Sequence, residues 1–190
     1  MSIHLQSIYR INKKQIQAFI GSGDPDAYNK IAAHYKERFL AWDAGLDYDL
    51  NSTVSKSTEF LLDICNGEIN HIKHGQFYVM VFELLCDFWG SRNYNLSEND
   101  VSLNIFNQTL HISDKLFINF PDYKDYIELF YINHSNLSKE IKEYINLDIK
   151  KVKGRFREFS DNEIINGVHE FCDFLQLAKE CNNDVIAFVY

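Results

Sequence analysis

Glu83 and Asp87 stand four residues apart, the spacing that puts two carboxylates on one face of a helix. Such a pair can do acid–base work, or hold a metal ion if further ligands converge on it. The run that carries them, Gln76 to Gly90, is the most apolar in the chain. Gln76 and Gly90 fall on the same helical line as the two acids, so the simpler reading is a narrow polar seam on an otherwise apolar helix. The alternative is a pocket beside that helix, using Glu83 or Asp87 and nearby tyrosines, as a small-molecule-binding protein or a hydrolase-type enzyme would need.

The remaining chemistry-bearing residues give weaker signals. His71 and His74 are three apart, but zinc needs three or four ligands, and neither an H-E-x-x-H motif nor a cysteine pair accompanies them. A polar turn is expected there, with no metal and no cofactor. G-x-S-x-G and P-loop motifs are absent. Gly21-Ser22-Gly23-Asp24 precedes a helix, where an anion could bind, but an aspartate at the cap would repel it, so the segment reads as a turn. Cys65, Cys86, Cys172 and Cys181 form no C-x-x-C pair, and three of them fall on apolar helical faces. Buried free thiols in a reducing compartment are expected.

Two surfaces stand out. Lys151, Lys153, Arg155 and Arg157 alternate with Val152, Gly154 and Phe156, and with Lys150 they place five positive charges in eight residues. That pattern predicts a strand with one basic face, fit either for acidic groups or for discouraging edge-to-edge association. The other surface is acidic and aromatic: Trp42, Asp43, Asp47, Tyr48 and Asp49, in and before a polar stretch over 47–53 that reads as a loop. Rings with one sign of charge suit a protein interface, and this loop is the preferred contact surface.

These residues need elements to position them. With 190 residues the chain is expected to form one α+β domain. Fifteen Phe and 11 Tyr predict a ring-rich core, and only 2 Pro and 8 Gly argue against disorder. A formal net charge of −8 repels phosphate backbones and anionic lipid, so no nucleic acid and no membrane is expected as partner, whereas a basic protein is readily accommodated. The N-terminus has no apolar signal core and the apolar helix is short and carries two acids, which places the protein in the cytoplasm.

In chain order, alternation over Ile3 to Tyr9 predicts an opening strand, and Ile16, Phe19 and Ile20 a short helix ended by the glycine turn. Asp24-Pro25 opens the next helix, with Ile31, Tyr35, Phe39 and Trp42 on one face and Gly45 as its stop. A helix over about 57–65 places Phe60, Leu61 and Ile64 inward, with Gly67 past its end. The central apolar helix over 76–89 follows, then a polar loop from Ser91 to Asp100 and a helix around Leu103, Phe106 and Leu110. Glu128 to Ile132 reads as a strand, and 139–144 as a helix with Leu137, Ile141 and Ile145 on one side. Ser160 and Glu163 form a capping box before a long helix with Ile164, Val168, Phe171, Leu175 and Ala178 on its stripe. Val185 to Val189 should finish the chain as a strand buried on both faces. The sum is a small sheet holding both terminal strands, covered by six or seven helices.

Four segments carry a family resemblance: the strand, short helix and glycine turn of Met1 to Asp24; Phe60 to Gly67; Phe82-Glu83-Leu84-Leu85-Cys86; and Ala178 to Tyr190. In these the chain resembles the bacterial YfbM-like proteins. The resemblance implies a soluble α+β bacterial domain and brings no catalytic residues. The function expected is that of a non-enzymatic interaction protein binding another protein, as an immunity protein neutralises a toxin.

Overall fold

The computed structural model describes residues 6–49, 56–70, 74–93, 114–121, 127–148 and 159–190, and of residues 6 and 45–49 the backbone alone. The elements are β1 (Gln6–Ile11), α1 (Lys13–Phe19), α2 (Pro25–His34), α3 (Lys36–Asp49), α4 (Thr58–Asn66), α5 (Gly75–Phe88), β2 (Gly90–Arg92), β3 (Glu128–Ile132), α6 (Leu137–Ile145), α7 (Asp161–Glu180) and β4 (Asp184–Val189), with a 3-10 turn at His134–Asn136. They fall into two compact units. A sheet unit takes Met1–Asn12, Gly90–Leu116 and Glu128–Tyr190, and a helical unit takes Lys13–Trp89 and Phe117–Ile127. The fold class is α+β, as the order of elements predicts.

In the sheet unit the strands run in the order β2-β1-β4-β3, every neighbour antiparallel. β4 is an interior strand and all six of its residues are buried, which is why Val185 to Val189 is an unbroken apolar run instead of an alternation. One sheet face, with Ile8, Ile132, Val185 and Ala187, packs under α7 and α6. The α7 stripe of Ile164, Val168, Phe171, Leu175 and Ala178 is buried throughout, as its spacing predicts. The Ser160–Glu163 capping box is formed in both directions, satisfying two N–H groups at the head of this 20-residue helix. The other sheet face carries Tyr9, Ile11, Tyr131, Ile186 and Phe188, also buried, with Tyr9 and Phe188 edge-to-face at 5.9 Å.

Two expectations in this unit need correction. The polar loop expected from Ser91 begins as strand β2, which pairs Gly90, Ser91 and Arg92 with Ile11, Arg10 and Tyr9. An edge strand of three residues is held by backbone hydrogen bonds, so its side chains carry no apolar signature. In α6, Ile145 is 65% exposed, while Glu140 and Tyr144 join Leu137 inside. At about 100° per residue Tyr144 returns to within about 20° of Leu137, whereas Ile145 lies about 80° away. The basic segment 151–157 and the helix expected around Leu103 to Leu110 lie outside the described residues.

The helical unit is built on α5. Tyr78, Val79, Val81, Phe82, Leu84, Leu85 and Cys86 are all buried. Within the unit Phe82 meets Phe117 and Phe120, Phe88 meets His34 and Tyr35, Tyr78 meets Phe60, and Trp89 meets Phe19. A helix with neighbours on so many sides must be apolar around most of its circumference. Trp89 is half-buried at the end of the helix.

Asp24 caps α2 by accepting the N–H groups of Asp26 and Ala27, with Pro25 following it. The next turn departs from expectation. The single helix expected to end at Gly45 is two, broken at Tyr35, and α3 continues through Gly45 to Asp49. One interior glycine costs only about 1 kcal/mol relative to alanine, which is too little to end a helix alone. Asp47, Tyr48 and Asp49 are therefore helical, where a loop was expected. The glycine turn has a packing role. Gly21 and Gly23 donate to the carbonyls of Ile64 and Cys65 at 3.0 and 2.9 Å, satisfying the C-terminal end of α4. Gly67 has φ +75°, and a Cβ there would stand 3.0 Å from the Gly21 Cα, so the two backbones meet where no side chain fits.

Candidate functional site

A groove of about 320 Å³ opens in the sheet unit between α7 and the β1–β2 end of the sheet. Its strand side presents Arg10, Arg92 and Asn93, and its helix side Glu170, Asp173, Phe174 and Leu177. The helix side follows from periodicity: Glu170, Asp173 and Leu177 are three and four apart on the outer side of α7, while Phe174 is buried. Leu177 is 44% exposed at the lip.

Arg10 is positioned by three neutral groups. Its Nη2 donates to Ser91 Oγ at 3.3 Å, its Nη1 lies 3.9 Å from Cys181 Sγ, and its guanidinium stands 6.0 Å from the centroid of the Phe174 ring. Among the described residues no carboxylate closes on it. Arginine offers five donors in a planar fork that matches a carboxylate or phosphate, and three neutral neighbours leave part of that fork available. Opposite charges thus line one groove from its two sides.

Other polar groups have structural employment. Tyr131 donates to Asp184, Asp184 also accepts the His134 N–H at 2.8 Å, and Asp114 accepts from the Asn133 backbone at 2.7 Å and the Asn136 amide at 2.7 Å. The Asp184 bonds secure the exit of β3 against the start of β4, and the Asp114 bonds hold the turn that follows β3. Glu140, 1% exposed on α6, has its carboxyl pushed up to about 7, by burial first and then by the charges of Glu143 and Asp114 against the opposing pull of Lys139. Burial and the neighbouring Asp173 raise the Cys172 thiol to about 11. The Cys86 thiol is raised by burial, then by Glu83 and Asp87. Neither thiol is activated. Cys65, Cys86 and Cys172 are buried and free, and Cys181 is exposed.

The residues singled out in the sequence are dispersed. Asp87 accepts the Tyr35 hydroxyl at 2.8 Å, and burial together with that bond raises the tyrosine far above its ordinary range. Asp87 braces α5 against the end of α2, and Glu83 is half-buried one turn earlier. Trp42 is half-buried, edge-to-face with Phe39 at 5.7 Å. Asp43 accepts the backbone N–H of Ser57, fixing the approach to α4. Asp47, Tyr48 and Asp49 follow in the same helix. Lys151, Lys153, Arg155, Arg157 and His71 lie outside the described residues, and His74 is half-buried at the head of α5. Among the described residues no group of three or more His, Cys, Asp or Glu could hold a metal ion, and no helix is long and apolar enough to cross a membrane.

Sequence reasoning passed over the groove. Arg10 sits as a lone charge inside the alternation of β1, and Glu170, Asp173 and Leu177 read as an ordinary solvent stripe. Only the pairing of β2 with β1 and the crossing of α7 bring them together. The chain belongs to the DUF7691 family, a domain of unknown function whose model matches residues 1–190. No curated protein and no solved structure matches it. Nothing in the family match links it to the YfbM-like proteins.

Proposed function

We propose that the protein works by binding another protein and not by catalysis: a cytoplasmic bacterial interaction protein with a basic partner, of the kind that binds and neutralises a toxin. The observation that carries this reading is the employment of three inward-facing acids by tyrosine hydroxyls. Asp63 accepts the Tyr78 hydroxyl, Asp87 that of Tyr35, and Asp184 that of Tyr131. Each such carboxylate is held by a donor that belongs to the fold, unlike the proton-shuttling groups of an acid–base site. The net charge of −8 then acts through the surface, where it accelerates encounter with a basic protein. The contact surface we assign is the C-terminal half of α3, with Trp42, Asp43, Asp47, Tyr48 and Asp49.

The test is co-expression with the product of the adjacent gene, followed by association kinetics. A complex is expected whose on-rate falls at least about tenfold between low and high salt. Asp47→Lys with Asp49→Lys should slow association at low salt and leave the melting temperature within a degree or two. No complex, or a rate indifferent to salt, rejects the proposal, and an unaltered double variant moves the contact away from α3. The groove at Arg10 favours a second reading, a small-molecule-binding protein.

A further inference from the structure

We propose that the groove between α7 and the β1–β2 end of the sheet binds a small zwitterion, an amino acid or short peptide with both ends free. The proposal deepens the second reading above and does not involve α3. Arg10 would take the carboxylate: it faces the groove, its contacts are a hydroxyl, a thiol and a ring face, and no acid among the described residues neutralises it. A guanidinium binds a carboxylate through two parallel N–H···O bonds. Asp173, on the facing helix, would take the ammonium group. Phe174 and exposed Leu177 supply an apolar strip on the same helix, suited to an aliphatic side chain.

The arrangement excludes simpler ligands. A wholly anionic molecule meets Asp173 across the groove, and a wholly cationic one meets Arg10. Only a ligand carrying both signs complements both sides, and mismatched charge is a strong basis for discrimination. The volume, about 320 Å³, sits at the small end of ligand sites and suits a few residues at most.

The experiment is calorimetric titration and saturation-transfer NMR of the full chain with glycyl-leucine, set beside N-acetyl-glycyl-leucine and glycyl-leucinamide. Saturable binding of the free dipeptide is expected below about 10 mM, with each blocked form weaker by at least about tenfold. Arg10→Gln should weaken the free dipeptide and abolish its preference over the amide. Asp173→Asn should abolish the preference over the acetylated form. Asp173 is exposed and removes no core contact, so it keeps the test valid if Arg10→Gln folds poorly. Absence of saturable binding overturns the proposal, as does equal binding of the blocked forms or unchanged affinity in a folded Asp173→Asn protein. Those failures would leave the protein-binding proposal standing, because that one is read on α3 with a protein partner.

Discussion

Asp63 in the helical unit and Glu140 in the sheet unit are both buried acids, at 7% and 1% exposure. Asp63 accepts the Tyr78 hydroxyl, the Asn70 side-chain amide at 2.8 Å and the Asn70 backbone N–H at 3.3 Å. Glu140 is buried on α6 along with Leu137 and Tyr144, and its Oε1 has no hydrogen-bond partner among the described residues. Burial is the same in both; the supply of donors is not. A satisfied buried acid stabilises the unit around it, whereas an unsatisfied one keeps its proton longer and costs stability once ionised. Exposure alone would have assigned the two residues the same role.

The largest expected effect sets the scale. Phe82→Ala empties a fully buried ring site between Phe117 and Phe120 and should destabilise by about 3–5 kcal/mol. A melting temperature within a degree or two of the parent would mean α5 is not the centre of the helical unit. Next comes Asp63→Ala, which strands the Tyr78 hydroxyl and the Asn70 amide and should cost on the order of 2–4 kcal/mol. Adding Tyr78→Phe should recover part of that loss. A double variant no better than the single one would show that the network stabilises by shape and not by hydrogen bonding.

The smallest effect has the opposite sign. Glu140 has a folded-state pKa of about 7 against an ordinary 4.5, so between those values the folded protein holds more protons than the unfolded chain. Its contribution is therefore neutral below about 4.5, turns unfavourable as pH rises through that window, and is fully unfavourable above about 7. Glu140→Gln removes the charge and should stabilise by on the order of 1–3 kcal/mol at pH 8, and by little near pH 4.5. Urea unfolding at the two pH values checks this; a gap that fails to open with pH would equate Glu140 with Asp63 and remove the contrast between the units.

The legible parts of the chain were those where one residue's side chain answers to its own element. The stripe of α7, its capping box, the Asp24-Pro25 start and the Gly67 stop all depend on local geometry, and each stands where its spacing placed it. The apolar run of α5 and that of β4 read correctly because being buried on many sides leaves no other composition open. Gly45 misled because its cost is small beside what neighbouring structure can supply. Glu140 misled because an acid is expected outside, while the turn of α6 carries it in beside Tyr144.

By itself, then, the sequence determined the α+β class, both terminal strands, the chief helices and an acidic surface charge, since propensity, periodicity and charge are properties of short stretches. The tertiary structure alone decided which acid has donors, where β2 finds its partner, and that Arg10 comes to face Asp173 and Glu170. Those residues are some 160 positions apart, and their meeting rests on strand pairing and helix crossing, which are set by the packing of the whole sheet unit and leave no trace in the local pattern.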